Sequence, residues 1–446
     1  MKRQLSGRRP ALWFGLVAVA VLAAGLATAG YGKSRTADAA SAGPIKIGIL
    51  TTCGGPFAPF EIESYSGAKY ALVKWAHGKP AGTGPQSQVN GATVAGHPIK
   101  IYFGCSDATP DKAVAEARRL VENVKVQILL GPLSGDEGIA IANYAKTQPN
   151  TIFVNGTSGA QVTTMSVRAK NFFRFGGDGA QWMAGLGTYA YKTLGWKTAA
   201  ILGEDYSYPY TLAAGFVAEF CSLGGNVTKR LWAPLTTTDW ASYVSQLPRD
   251  VDGVLLLTGG SNTISAEKAY ASLGGNLAKK MLGGSSVMDP TSFGVGDALV
   301  GLAGGSPVPL GGGTPGWKTY IAGVSKVYPK APADSLFTVL YYNGMQAIIQ
   351  GLQKTHGATG AALRGVLTQL TPSFPNGRVR LDANRNSIQP AFVVQIVKTG
   401  GKLGFKTIKT IPNVDQTFGG LFGPKSPAPS RTAPACKKGT PPAWAK

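Results

Sequence analysis

From residue 44 onward the chain alternates short apolar runs with amphipathic stretches. Ile45, Ile47, Ile49 and Leu50 predict a strand, and Thr51 to Ala58 (TTCGGPFA) a Gly-rich turn. Tyr65 to Trp75 carries Ala68, Ala71 and Leu72 at helical spacing, and the polar, Gly-rich run from His77 to His97 predicts a surface loop. Ile99 to Phe103 predicts the second strand, ending in Gly104-Cys105-Ser106-Asp107. Thr109-Pro110, an N-cap residue followed by a first-turn proline, opens a helix from Asp111 to Val124. The next unit, VKVQILLGPLSGDEGIAIANYA (124 to 145), shows the pattern best. Val126, Ile128, Leu129 and Leu130 form an apolar run bounded by Gly131-Pro132, as a strand buried on both faces requires. Ser134, Gly135, Asp136 and Glu137 then lead into Ile139, Ile141, Ala142 and Ala145 at helical spacing. Small polar groups and backbone N–H donors therefore sit between a strand end and a helix start, where open α/β sheets bind ligands. Thr151 to Val154 predicts a fourth strand, running into Asn155-Gly156-Thr157-Ser158-Gly159.

The rhythm restarts after Phe172-Phe173-Arg174-Phe175. Asp178 to Leu194 predicts a helix, Thr198 to Leu202 a strand, and Glu204 to Tyr210 (EDYSYPY) a turn. Leu212 to Leu223 reads as a helix closed by Gly224-Gly225, and Val227 to Trp232 as a strand. Thr238-Asp239 caps a helix to Leu247. Val251 to Leu257 is an apolar strand ending at Thr258-Gly259-Gly260-Ser261-Asn262, Glu267 to Leu273 is helical, and Lys280 to Leu282 leads into Gly283-Gly284-Ser285-Ser286. Two successive α/β arrays of similar size predict two lobes, each a parallel sheet flanked by helices, with a cleft between their strand ends.

Composition narrows the class. At 446 residues and 44% hydrophobic the chain can bury a large core, and Gly 61 suits many tight turns. The formal charge is +22; residues 1 to 40 hold six of the cations and one acid, leaving +17 beyond them. Such an excess favours anionic surroundings, yet no zinc-finger spacing or aromatic–basic stacking motif accompanies it, so no nucleic-acid partner is expected. Lys2, Arg3, Arg8 and Arg9 precede an uncharged run from Ala11 to Gly30, the layout of a secretory signal over residues 1 to 40, with Ala27-Thr28-Ala29 and Ala37-Asp38-Ala39 as cleavage candidates. Arg8-Arg9 is a loose twin-arginine pair, and the apolar run is nearly long enough for an uncleaved anchor. The first cysteine, Cys53, lies past either cleavage site, so no lipid-anchor acceptor is available. The expectation is a soluble monomer, periplasmic or secreted.

The chain resembles the type I periplasmic solute-binding proteins of the branched-chain amino acid (Leu/Ile/Val-binding) class, which deliver ligand to an ABC transporter. The residues that carry the resemblance are IKIGILTTCGGPFA (45 to 58), the helix from Asp107 to Val121, ILLGPLSG (128 to 135) and FFRFGGDGAQ (172 to 181), followed by AAILGEDYSYPY (199 to 210), Tyr341-Tyr342-Asn343-Gly344-Met345 and Asn376 to Asp382. Their order covers residues 44 to 410. The resemblance implies two lobes and three crossovers, near Phe175 to Asp178, Gly283 to Asp289 and Asn376 to Arg380. Residues 44–175 and 287–377 then form lobe I, residues 176–286 and 378–420 lobe II, and 421–446 a Pro/Lys-rich tail. It also implies a permease partner in the inner membrane, capture of a small solute by lobe closure, no cofactor, no metal and no catalysis.

The family's amino-acid grip transfers incompletely. The second Ser expected after the Gly-Pro turn is Gly135, the hydroxyl residue after the fourth strand is Gly159, and the acid at the second crossover is Ser285; Tyr208 matches directly. An ammonium taken out of water needs a paired carboxylate. Asp136, Glu137, Asp178 and Asp289 are possible replacements, but the simpler inference is a ligand without the α-amino acid pattern: an amide, an aromatic or other carboxylic acid, or a polyol. The candidate ligand-binding set is Phe57, Ser134, Gly135, Thr157, Ser158, Gly159, Tyr206, Tyr208, Asn262 and Ser285, with Trp182 as a further flat wall. Packing for the aromatic residues and helix capping for the hydroxyls are the alternatives.

Four cysteines fit an oxidising compartment. If the first two strands are neighbours, Cys53 and Cys105 can bridge; Cys221 and Cys436 form the second expected pair, pinning the tail. A zinc or catalytic-cysteine site is disfavoured by the lack of CxxC and by having His77, His97 and His356 alone. Two other functions stay open: a sensor of the same fold, and a basic envelope-associated protein acting through Lys425, Arg431, Lys437, Lys438 and Lys446.

Overall fold

The computed structural model describes residues 43 to 446. The expected signal segment, its cleavage sites and the Ala11–Gly30 run lie outside the described residues. In lobe I, β1 (Ile45–Thr52), β2 (His97–Ser106), β3 (Ile128–Leu130), β4 (Ile152–Val154) and β5 (Phe172–Phe173) form one sheet in the order β2-β1-β3-β4-β5, all parallel. The helices α1 (Phe60–Trp75), α2 (Pro110–Arg118) and α3 (Gly135–Ala145) connect them. Ile47, Ile49, Ile128, Leu130, Ile152 and Val154 are buried with the apolar side of α1, as strands covered on both faces require.

The second sheet holds β6 (Thr198–Glu204), β7 (Asn226–Ala233), β8 (Gly253–Leu257), β9 (Met281–Gly283), β10 (Ala303–Ser306), β11 (Arg380–Leu381), β12 (Ser387–Thr399) and β13 (Lys402–Val414). Its order is β7-β6-β8-β9-β10-β12-β11, with the long antiparallel β13 on β12. The short α4 (Gly179–Trp182), α5 (Ser207–Ser222), α6 (Trp240–Val244) and α7 (Ser261–Ser272) belong to this lobe. The helices α8 (Pro315–Val327), α9 (Leu336–Lys354) and α10 (Gly360–Gln369) return to lobe I, where α9 lies against α1.

This topology corrects two expectations. The second passage between lobes does not fall at Gly283 to Asp289, and lobe I does not resume at 287. The chain stays in the second sheet through β10, which pairs in parallel with β9 and antiparallel with β12, and it leaves only after Ser306. AGGS carries no apolar alternation, so the strand has no signature in sequence and is defined by the neighbours that take up its hydrogen bonds. The single helix expected from Asp178 to Leu194 is interrupted at Gly185, whose φ of 86° is left-handed and stops the α-helical run. Phe172-Phe173, for which no strand was expected, is the edge strand β5.

Both expected disulfides are present. Cys53 and Cys105 face each other at the ends of the adjacent β1 and β2, where Thr51 is in register with Cys105. Cys221, near the end of α5, bonds Cys436 in the tail. Among the described residues, no helix is long and apolar enough to cross a membrane.

Candidate functional site

Three strand-to-helix turns meet at the cleft. Helices α3 and α5 start shortly after sheet strands, as does α7, so helix N-termini with their positive dipole ends come from both lobes. Glu137 reaches back to the Ser134 N–H at 2.9 Å and fixes the start of α3 as a capping box. Burial raises the Glu137 carboxyl, and bonds from the surrounding hydroxyls and the Ser134 N–H act against that rise.

The lobes are shut on one another. The Ser207 N–H donates to Asp136 Oδ1 at 3.1 Å, the Gly179 N–H to the Gly159 carbonyl at 2.8 Å, and the Gln161 N–H to Thr211 Oγ1 at 3.3 Å. Glycine at 135 and 159 permits this approach. A Cβ on Gly135 would lie 2.5 Å from Ser207 Oγ and 2.8 Å from the Tyr208 nitrogen, and one on Gly159 2.6 Å from the Tyr208 ring. The hydroxyl side chains expected at these places by resemblance are thus replaced by room for the tyrosine of the opposite lobe.

Between the lobes lies a narrow cavity of about 10 Å³ lined by Phe57, Phe60, Trp182, Tyr206, Tyr208 and Phe337, with Ser134, Thr157, Ser286, Leu133 and Leu336 completing it. Ring contacts run through the wall: Phe60 stacks on Phe337 at 3.7 Å between centroids, Phe57 lies 6.1 Å from Tyr206, and Trp182 meets Tyr208 edge-on at 5.8 Å. The side chains close in until about one water's room remains at the centre. Tyr208 shares a hydrogen bond of 2.8 Å with Ser286 Oγ, and the Trp182 indole N–H donates to the Gly176 carbonyl at 2.6 Å. Burial pushes both Tyr206 and Tyr208 phenols upward, so they act as neutral donors.

Five of the ten candidates, Phe57, Ser134, Thr157, Tyr206 and Tyr208, line this cavity. Gly135 and Gly159 form the seam beside it, and Ser158 Oγ turns to the Gly135 carbonyl at 3.5 Å. Asn262 is drawn away, donating to Glu204 Oε1 at 2.8 Å and the Leu235 carbonyl at 2.9 Å. Ser285 is fully buried with no hydrogen-bond partner for its hydroxyl, while its neighbour Ser286 faces the cavity. Phe60, Leu336 and Phe337 were not expected. The pair 336–337 begins α9, some two hundred residues from the rest of the lobe I wall, and no local pattern marks it.

The four replacement acids are otherwise engaged. Glu137 caps α3, Asp178 caps α4 and accepts from Gln416, Asp289 accepts from Thr291, and Asp136 holds the Ser207 N–H. None lines the cavity. An ammonium placed there has no carboxylate to meet it; the polar groups of the lining are hydroxyls, of which Ser134 donates to the Ala108 carbonyl at 3.4 Å and Thr157 to the Leu133 carbonyl at 3.3 Å.

Two α/β lobes joined by three passages and closed over an aromatic cavity define a protein that traps a small solute. The chain belongs to the periplasmic binding protein family, whose model matches residues 44–402. It is similar in structure to an ABC-transporter solute-binding protein of Rhodopseudomonas palustris BisB5 in complex with 3,4-dihydroxybenzoic acid (23% identity, 84% of this chain and 98% of that one, TM-score 0.73). A second R. palustris solute-binding protein, in complex with 4-hydroxybenzoate, gives 21% identity over 84% and 98% with a TM-score of 0.75. A leucine-binding protein of Thermotoga maritima gives 18% over 82% and 99%, at 0.68. No curated protein sequence matches the chain.

Proposed function

We propose that this chain is the extracytoplasmic capture subunit of an ABC importer, that it acts as a monomer exported through residues 1 to 40, and that its solute is a small aromatic carboxylic acid. The observation that carries this reading is the cavity itself: six aromatic rings and three hydroxyls, with no carboxylate in its lining. Flat apolar walls suit a benzene ring, and the Ser134, Thr157 and Ser286 hydroxyls with the α3 N-terminus suit an anion. The structural relatives that hold 3,4-dihydroxybenzoate and 4-hydroxybenzoate support this choice over leucine. Because the shut lobes leave room for about one water, solute enters with the lobes parted, and enclosing its ring requires the wall side chains to stand further apart than they do here. The closed form is what a permease would recognise.

A thermal-shift and calorimetric screen tests this, since a ligand bound by the folded state raises the melting temperature. Benzoate and its hydroxylated derivatives are expected to raise it and leucine to leave it unchanged. A shift with leucine alone would overturn the reading.

A further inference from the structure

The tail from residue 421 lies beyond the family's match, yet it is tied to the ligand-facing part of lobe II. It runs antiparallel along the outer edge of β7, the edge strand of the second sheet. Cys436 is level with Gly225 and Val227, whose N–H points at the cysteine sulfur; the Pro434 carbonyl accepts from Arg230 Nη2 at 2.6 Å; the Arg431 carbonyl accepts from Trp232 Nε1 at 3.0 Å. At its far end Arg431 forks onto Asp205, Nε to Oδ1 at 2.7 Å and Nη2 to Oδ2. The Tyr210 hydroxyl donates to the same Asp205 Oδ1. Burial would raise the Asp205 carboxyl, and the bonds from Arg431 and Tyr210 hold it below its ordinary range instead.

These two anchors bracket α5. Cys221 is one residue from its end, and Asp205 sits two residues before its start, next to Tyr206 and within three of Tyr208, both of which line the cavity. We infer that residues 431–436 are a strap holding the ligand-facing turn of lobe II, and that Arg431 is a positioning residue for Tyr206 and Tyr208, acting through Asp205. Arg431 touches neither ring. Its planar fork fixes the orientation of the carboxylate in a way that a lysine point charge does not. The inference rests on the aromatic-acid reading for its effect on affinity, but its primary test needs no ligand.

That test is amide hydrogen exchange over Tyr206 to Thr211 in the free, full-length protein. In R431A these amides are expected to exchange about tenfold faster at an unchanged melting temperature and with the Cys221–Cys436 bond intact, in R431K at an intermediate rate, and in D205N as in R431A. Sodium chloride at 0.5 M is expected to speed exchange in the unsubstituted protein and to have no effect in R431A, since the pair is solvent-screened. For 4-hydroxybenzoate the dissociation constant is expected to rise about fivefold in R431A, with no further rise in the R431A/D205N double variant. Unchanged exchange in both single variants would overturn the strap. Absence of 4-hydroxybenzoate binding by the unsubstituted protein would instead count against the proposed solute, leaving the exchange result to decide the strap.

Discussion

The two lobes repeat one α/β scheme and each brings three aromatic rings to the cleft, but they differ in the polar groups beside them. Lobe I brings Phe57, Phe60 and Phe337 with the hydroxyls of Ser134 and Thr157 at the turns after β3 and β4; lobe II brings Trp182, Tyr206 and Tyr208 with the hydroxyl of Ser286. Their covalent ties differ as well: the lobe I disulfide joins neighbouring strand ends at the cleft, with a sequence separation of 52, whereas the lobe II disulfide reaches across 215 to a tail. Lobe I thus supplies aliphatic hydroxyls from two turns, whereas two of the three rings of lobe II carry phenol groups. The difference teaches that a shared backbone plan leaves ligand chemistry to a few turn residues.

Removing the two ties is expected to have the largest effect on stability. In the chain-entropy model each long loop is worth about 4–5 kcal/mol, so C53S/C105S and C221S/C436S should both melt several degrees lower. Equal loss of 4-hydroxybenzoate affinity in the two double variants would erase the distinction between the lobes, because the proposed strap links only the second tie to the tyrosine-bearing turn. Next comes G135A. A Cβ there meets Ser207 and Tyr208 from the other lobe, so closure is expected to cost about 2–3 kcal/mol, an affinity about 30- to 150-fold weaker by calorimetry, with the melting temperature of the free protein little changed. Unaltered affinity would mean that the seam opens in the bound form.

The third effect is one of pH. Glu204, in lobe II behind Tyr206, is fully buried, with its carboxyl pushed up by burial to about 8. It therefore stays protonated in the folded state while the unfolded chain ionises above about 4.5. Folding takes up a proton across that window, so this group's contribution is full below it and is lost as pH rises through about 8, by at most about 1.4 kcal/mol per pH unit. Denaturant titrations from pH 5 to 9 should show stability falling with pH and a shallower fall in E204Q. Equal slopes would show that the carboxyl is ionised inside the lobe. The smallest expected effect is Y208F, which removes the bond to Ser286: about 1 kcal/mol, or fivefold in affinity, with the ring wall retained.

Much of the fold is legible in the residues. The apolar run Ile128 to Leu130, the Thr109-Pro110 start of α2 and the capping pair Ser134 and Glu137 each carry a local reason for their structure, and the strands and helices fall where those reasons place them. The cavity was legible in part. Phe57, Ser134, Thr157, Tyr206 and Tyr208 stand in turns at strand ends, where a sheet must expose its mouth. Asn262 stands in the same kind of turn, but its amide satisfies Glu204 and a carbonyl, a competition no pattern reveals.

The sequence by itself determined the two α/β arrays, because strand burial and helix amphipathicity are periodic and local. It also determined that Ser285 stands where the resemblance places the ammonium-pairing acid, and that Gly135 and Gly159 stand where it places hydroxyl residues, since both follow from residue type. The tertiary structure alone decided that β10 stays in lobe II, that Ser286 rather than Ser285 faces the cavity, and that Leu336 and Phe337 complete its wall. It alone decided that Arg431 meets Asp205 from 226 residues away. Such contacts depend on which surfaces meet when the lobes pack, and packing is a property of the whole chain that no window of neighbouring residues contains.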